Sequence, residues 1–536
     1  MMRILLVSPY NDKLRAGQYL SPPLGIYRIA SYIRSKFSTN DVSIDVLDPN
    51  IEGIDELYRR AEETRYDIVG FSLLYTTYEF DLKIISRIRE LSPASLLIAG
   101  GQGAVFTIRY LLKNTPLQVI CKGFGEFALE QMIPRIIKAR GDKSRMNLST
   151  LDGIKGLAYE VEGKMTFTGF REPYTSEDFS KISLSIDFKQ IPFEKYWSHM
   201  ESFYSDEHLE MMCNDNMLRT IRLVTSSHCP RKCAFCSSTN FLDSPGRPHP
   251  PLMLSPEDIL TLTRNAVSAH PSVTAIYYCD DDFLQDKERI LELTHRIKAD
   301  SKLKNLNYFC LGRIDNVRPD ILKEMRSAGF KFIIYGIESF SNRLLKEMNK
   351  GVAGPDPSGK TIELLRETIS SGLTPLMNLI LFYPTSNKSD VVDTIEKATL
   401  MVAAGARVTV YPLVEYYPGS RIAYDNSFSR SYKSVMISDL KSAFIPEYVL
   451  PADSEISSLA KDAMELRKEV LQEIILKHNW KGVAPHPIYS LALFVATYRL
   501  MKINYNHITS LIDELMRPSY SLQQSKEDNM KTLVSS

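Results

Sequence analysis

Cys229, Cys233 and Cys236 stand in the segment Thr225-Ser-Ser-His-Cys-Pro-Arg-Lys-Cys-Ala-Phe-Cys-Ser-Ser-Thr239, a C-x3-C-x2-C run. Three thiols so close together converge only where the backbone wraps a loop around something that binds sulfur. A structural zinc site takes four protein ligands, usually as two pairs, and no second Cys or Cys/His pair stands nearby. An iron–sulfur cubane accepts closely spaced thiolates, and three protein ligands leave one iron open to a small molecule. The run therefore points to a [4Fe-4S] cluster. The remaining cysteines, Cys121, Cys213, Cys279 and Cys310, are isolated and read as small buried residues. Cys279 directly precedes the carboxylate triplet Asp280-Asp281-Asp282.

Around this loop the chain alternates strand and helix twice. Residues 1–140 hold short apolar strands at Arg3–Val7, Val42–Leu47, Asp67–Ser72, Ser95–Ala99 and Gln118–Lys122. Helical periodicities at Ile26–Ile33, Ile54–Glu63, Tyr78–Leu91 and Phe127–Ala139 follow them. That alternation predicts a doubly wound, Rossmann-like parallel sheet, on which ligands bind beyond the carboxyl ends of the strands. Residues 141–217 read as a polar connector with a hairpin near Tyr159–Lys164, then an irregular stretch through Tyr196, Tyr204 and Met211–Cys213. Residues 218–425 return to alternation, with strands at Leu218–Val224, Ala275–Cys279, Leu306–Leu311, Phe332–Tyr335, Leu376–Phe382 and Arg407–Pro412. Six such units predict a partial (β/α)6 barrel with polar residues at its mouth. From residue 426 the pattern reads as helical, with an apolar stripe over Asp453–His478, helices at Ile488–Met501 and His507–Met516, and a polar tail from Ser519. His478, His486 and His507 read as surface or structural residues.

The cysteine run, with Phe235 just before its third cysteine, resembles the signature of the radical S-adenosylmethionine (SAM) superfamily. The resemblance implies that the open iron chelates SAM and that one electron cleaves it to a 5′-deoxyadenosyl radical. It extends to the strand ends. Asp280 or Asp281 matches the group that meets the SAM amine, although a loop carboxylate triplet also suits solvent or a helix cap. Glu338 and Ser339, in Gly336-Ile-Glu-Ser339, match groups that reach the SAM ribose or amine, and Arg313 is placed for its carboxylate. The fifth barrel strand departs from the subfamily pattern with Phe382-Tyr-Pro-Thr-Ser-Asn387, which lacks a Glu; Tyr383 there is expected to narrow the substrate pocket.

The first half resembles the cobalamin-binding domain that precedes the barrel in one large radical SAM subfamily. Ser72 with Thr76 and Thr77, Gly100 with Gly101, and Gly123-Phe-Gly-Glu126 carry the match, small residues letting a flat macrocycle and its nucleotide tail approach the backbone. No Asp-x-His-x-x-Gly motif is present and no histidine precedes His199, so this half supplies no histidine to cobalt. The alternative is a domain kept as a spacer. Together these resemblances imply a cobalamin-dependent radical SAM enzyme that methylates an unactivated carbon, or phosphorus, of a small molecule. They also imply an electron donor such as flavodoxin or ferredoxin. Ring formation, rearrangement or oxidation without net methylation is the second reading, and a regulatory iron–sulfur binding protein the third. No catalytic residue beyond the cofactor ligands is singled out.

Charge narrows the partners. The 65 basic and 64 acidic residues leave a net charge of +1, giving no basic field for nucleic acid. A tRNA-modifying methylthiotransferase is disfavoured further by the lack of a second three-cysteine motif. The apolar run at Met1–Val7 is too short for a signal peptide, and Ile488–Met501 is too short to span a bilayer. With few scattered cysteines, a reducing, cytoplasmic setting is expected.

Overall fold

The structure is a computed structural model and describes residues 1–11, 20–139, 148–169, 174–202, 219–238, 250–438, 441–477 and 486–501. Tyr204, Met211–Cys213, Leu218, His478, His507 and the polar tail lie outside the described residues.

Two sheets organise the chain. The first has strand order β2-β1-β3-β4-β5-β6-β7. Its parallel core is β1 (Met2–Val7), β2 (Val42–Leu47), β3 (Ile68–Ser72), β4 (Leu96–Gly100) and β5 (Val119–Cys121). Period-two alternation sends Leu5, Val7, Val69 and Leu97 to one face, under the helices Ile54–Glu63 and Tyr78–Leu91. Ile4, Leu6, Ile44 and Ile98 go to the other, under Leu24–Lys36 and Gly125–Ala139. Burial on both faces explains why these strands read as nearly continuous apolar runs. The strand order reverses between β1 and β3, the position at which open α/β sheets form ligand crevices.

The hairpin expected in the connector is present as β6 (Leu157–Val161) and β7 (Lys164–Phe167). It is part of the first sheet, because β6 pairs antiparallel with β5.

The second sheet has order β14-β15-β13-β12-β11-β10-β9-β8. Its parallel strands are β8 (Thr220–Leu223), β9 (Ala275–Tyr278), β10 (Asn307–Gly312), β11 (Phe330–Glu338), β12 (Thr374–Phe382) and β13 (Arg407–Glu415). The intervening helices start where their caps dictate. Ser255 accepts the Asp258 amide, Asp286 that of Arg289 and Ser341 that of Leu344, while Asn387 and Asp390 form a reciprocal capping box.

Two expectations need correction. Tyr196 stands in the helix Phe193–Glu201 and not in an irregular stretch. The segment after residue 426 does not turn directly to helix: β14 (Arg430–Ser438) and β15 (Lys441–Val449) form a hairpin, and β15 pairs antiparallel with β13. Pairing with β13 brings the hairpin onto what would otherwise be the open edge of the barrel sheet. The helices Ser454–Lys477 and His486–Leu500 follow, burying Ile456, Ala463, Val470, Ile474 and Phe494 in the barrel's core cluster. No helix among the described residues is long and apolar enough to cross a membrane.

Candidate functional site

The cysteine loop leaves β8 and is braced on every side by hydrogen bonds. At its start Asp280 is fully buried, and its two oxygens accept the Thr225 amide and hydroxyl, each at 2.5 Å. The Arg289 guanidinium stands 3.7 Å from the same carboxylate and donates to the carbonyls of Leu254 and Thr225. Burial pushes the Asp280 carboxyl up, and Arg289 and Thr225 pull it back. Further along, the Ala234 amide donates to Met348 O at 2.9 Å and the Ile422 amide to Ala234 O at 3.0 Å. Asn349 Nδ2 reaches Lys232 O at 3.0 Å.

Phe235 packs beside Leu344, Met348, Ile380 and Tyr383 in a small apolar cluster beneath the loop. Tyr383 is only 2% exposed. That corrects the expectation that it narrows a substrate pocket: its ring is a floor for the cysteine loop.

The three cysteines share this loop, with Cys233 buried and Cys229 and Cys236 half-buried. Among the described residues no three His, Cys, Asp or Glu side chains are grouped around a single-ion position. A cubane asks for each thiolate on a different iron, so its sulfurs ring a volume instead of meeting at a point. Burial pushes the Cys229 thiol up to about 12 and that of Cys236 up to about 11. A strong Lewis acid is what such buried thiols need in order to lose their protons, and this donor set fits an iron–sulfur cluster. Arg313 Nη1 donates to Cys233 Sγ at 3.3 Å. The rest of that guanidinium is held by Asp315, at 2.9 and 3.1 Å.

At the end of β11, Glu338 has a left-handed backbone, with φ of 67°. A non-glycine residue held there carries strain that its surroundings must impose, a feature concentrated at functional sites. Its Oε1 lies 3.2 Å from Lys350 Nζ, and both groups are largely buried. Burial alone would lower the Lys350 ammonium, but Glu338 and the neighbouring Cys233 sulfur hold it above the ordinary lysine range. A Cβ at Gly336 would come within 2.5 Å of Glu338 Oε1 and 2.8 Å of Lys350 Nζ, so a side chain there would push this pair from its place. An anionic oxygen and an ammonium side by side suit a ligand with adjacent hydroxyl, amine and carboxylate groups, as in SAM.

Other residues singled out in the sequence have different surroundings. Ser339 is fully buried, its hydroxyl bonded to Thr394 Oγ1 at 2.8 Å and accepting the Ser341 amide. Asp282 accepts the Arg313 amide at 3.0 Å and Asn316 Nδ2 at 2.7 Å, which fixes the end of β10. Asp281 bonds Ser238 just beyond the third cysteine.

The first sheet contributes shape. Ser72, Gly100, Gly101, Gly123 and Glu126 line one cavity of about 180 Å³, closed by Leu6, Ile29, Gly70 and Leu129. Glycines in this cavity and in the adjoining loop, where Gly103 lines a neighbouring pocket, are there for close approach. A Cβ at Gly101, where φ is 91°, would lie 2.9 Å from Leu73 O, and one at Gly103 would lie 2.7 Å from Leu74 C and Tyr75 N. A slot with glycine walls and an apolar floor at the carboxyl ends of β3, β4 and β5 fits the flat base of a nucleotide tail. Thr76 lies apart from that cavity, in a smaller pocket with Gln102, Ser237, Tyr417 and Pro418.

That smaller pocket joins the two halves. Gln102 Nε2 donates to Ser237 Oγ at 2.7 Å, tying the loop after β4 to the cysteine loop. Tyr75 donates to Pro446 O at 2.9 Å and its ring meets Tyr416 at 5.7 Å. Lys350 follows the Gly336–Ser339 match and Gln102 stands in the strand end Gly100–Gly103, both legible in the sequence, whereas Arg28 is not, because its partner Glu126 stands 98 residues away.

Comparisons with known proteins agree with this division. Residues 223–398 match the Radical SAM superfamily and residues 15–133 match the B12 binding domain. The chain is 24% identical over 426 residues to an uncharacterized methyltransferase of Pyrococcus horikoshii, covering 79% of this chain and 82% of that one. It is 22% identical over 372 residues to the anaerobic magnesium-protoporphyrin IX monomethyl ester cyclase of Cereibacter sphaeroides, covering 68% of this chain and 55% of that one. Among solved structures, the cobalamin-dependent S-adenosylmethionine radical enzyme OxsB with aqua-cobalamin bound superposes with a TM-score of 0.65 at 15% identity, covering 96% of this chain and 75% of that one. At that identity the likeness concerns the fold.

Proposed function

We propose, on the premise that this chain is a radical SAM enzyme carrying a B12-binding domain, that it transfers a methyl group from SAM to an unactivated carbon, or to phosphorus, of a small molecule. The observation that carries the reading is the Gln102–Ser237 hydrogen bond, which sets the strand ends of the B12-binding sheet against the cysteine loop. When bound, the cluster with SAM supplies a carbon-centred radical and cobalamin supplies a transferable methyl group.

The chain's own residues supply position. Cys229, Cys233 and Cys236 would hold three irons and leave the fourth open to SAM. Glu338 and Lys350, already paired across the space above Gly336, would take the SAM ribose hydroxyls and its amino-acid end. Arg313 faces the same loop and would meet the carboxylate, while Asp280 and Asp282 keep the loop and β10 in register. Ser72, Gly100, Gly101, Gly123 and Glu126 would hold cobalamin through its tail. The tyrosines at 75 and 416 close the seam between the halves and keep bulk water from the reacting atoms. The electron enters from an external donor of the flavodoxin or ferredoxin class.

The test is anaerobic turnover with methyl-labelled SAM against a panel of small molecules, with and without added cobalamin, read by mass spectrometry. Label appearing in product only when cobalamin is present supports methyl transfer. The likeness to the magnesium-protoporphyrin cyclase favours one second reading, ring formation without net methylation. An unlabelled, dehydrogenated product would establish that reading in its place.

A further inference from the structure

The cavity of the first sheet contains one polar atom with nothing to bond. Glu126 is fully buried, and its Oε1 accepts Arg28 Nε at 2.7 Å. Its Oε2 is buried as well and has no hydrogen-bond partner among the described residues. Apolar residues and glycines such as Leu6, Ile29, Gly70 and Leu129 make up most of the lining, with Ser72, Arg28 and Cys121 its other polar side chains. The Arg28 guanidinium, paired with Oε1 and lying over the Phe124 ring at 5.1 Å, makes no bond to Oε2. The Cys121 thiol, the other titratable group lining the cavity, is pushed by burial to about 12 and stays neutral. A carboxylate oxygen enclosed in this way is stabilised by any occupant that brings it a donor.

The lower bases of cobalamin-type cofactors differ in that respect. In 5,6-dimethylbenzimidazole one ring nitrogen is bonded to ribose and the other is an acceptor, so the neutral base offers no N–H. Adenine carries an exocyclic amino group. Protonating the benzimidazole would supply a donor, but the Arg28–Glu126 pair already balances its own charge, and a further cation beside Arg28 is repelled. We propose that Glu126 reads the lower base of the tail and selects cobamides whose base carries its own N–H donor, adenine above dimethylbenzimidazole. The inference rests on the B12-binding role of this domain and makes Glu126 a specificity residue of it.

The test uses the full chain and three corrinoids: cobinamide, which has no base, cobalamin, and the cobamide with an adenine base. Their dissociation constants are measured by equilibrium dialysis with absorbance detection. The expected result is that the adenine cobamide binds about tenfold or more tighter than cobalamin, the size of one hydrogen bond to a charged group. In Glu126→Gln the amide can turn its N–H to the benzimidazole acceptor, so the preference is expected to shrink or reverse. Cobalamin bound as tightly as the adenine cobamide by the unaltered chain overturns the base reading alone. Failure of all three to bind overturns that reading together with the B12-binding role.

Discussion

The carboxyl ends of the two parallel sheets meet across the Gln102–Ser237 bond, yet they are made of different materials. The barrel end relies on side chains with defined chemistry: three thiols, the Glu338–Lys350 pair and the Arg313–Asp315 fork. The first sheet's end relies on what is missing, with glycines at 70, 100, 101 and 103 where any Cβ would fill the space a ligand needs or strike the backbone. A cluster and a sulfonium are held by bonds to particular atoms, so the barrel has little freedom in residue type. A macrocycle with a long tail is held by shape over a wide area, so the sheet has much more. The difference teaches where substitution acts on chemistry and where it acts on fit.

The largest effect is expected at the thiols. Cys229→Ala, Cys233→Ala or Cys236→Ala each abolishes the cluster's brown absorbance and SAM cleavage while cobalamin binding survives. A variant retaining a full four-iron cluster would remove that cysteine from the ligand set. Next comes Glu338→Gln, which keeps the cluster but weakens SAM about tenfold or more, as one buried bond to a charged group is worth about 1.5–3 kcal/mol. Unchanged affinity by calorimetry would take the strained β11 end out of the SAM site.

In the first sheet the comparison sharpens on volume. Gly103→Ala drives a methyl group into the backbone of Leu74 and Tyr75, and overpacking of this kind costs about 1–3 kcal/mol. The expected outcome is a lowered melting temperature and loss of retained cobalamin with SAM cleavage intact. Loss of SAM cleavage in parallel would mean the two ends are not separable.

The smallest effect concerns a side chain at the first sheet's end that acts only on stability. Burial pushes the Asp81 carboxyl from 3.8 up to about 8, against the hydrogen bonds from Thr77 Oγ1 and the Tyr10 amide. An acid whose folded pKa lies above its unfolded value contributes stability below the unfolded pKa and loses it as pH rises through the folded one. The melting temperature is therefore expected to fall as pH rises from about 4 to about 8, and Asp81→Asn to flatten that slope without touching SAM cleavage. An identical slope in the variant would assign the pH dependence to other groups.

Legibility in the sequence followed the same divide. The thiol run, the strand ends and the succession of two strand–helix regions were open to reading because spacing and apolar periodicity are local. What escaped was long-range. Asp280 is committed to Thr225, 55 residues away, and its neighbours along the chain give no hint of it. The role of Lys350 rests on its pairing with Glu338, and Tyr383 loses its expected place in a pocket because it is buried in the apolar cluster that Phe235 joins. The β14–β15 hairpin was missed for another reason. Its residues show no clean period-two pattern beside strongly periodic helices, and pairing with β13 decides it.

The central claim, that the first sheet holds its cofactor by shape and the barrel holds its own by ligation, is tested most directly at cobalt. No histidine precedes His199, so the B12-binding sheet has no imidazole to offer, and the tail base is expected to be in the glycine-walled cavity. The protein is loaded with hydroxocobalamin, reduced to Co(II) and examined by electron paramagnetic resonance. The account predicts cobalt hyperfine lines with no nitrogen superhyperfine splitting. A nitrogen triplet on those lines would contradict it.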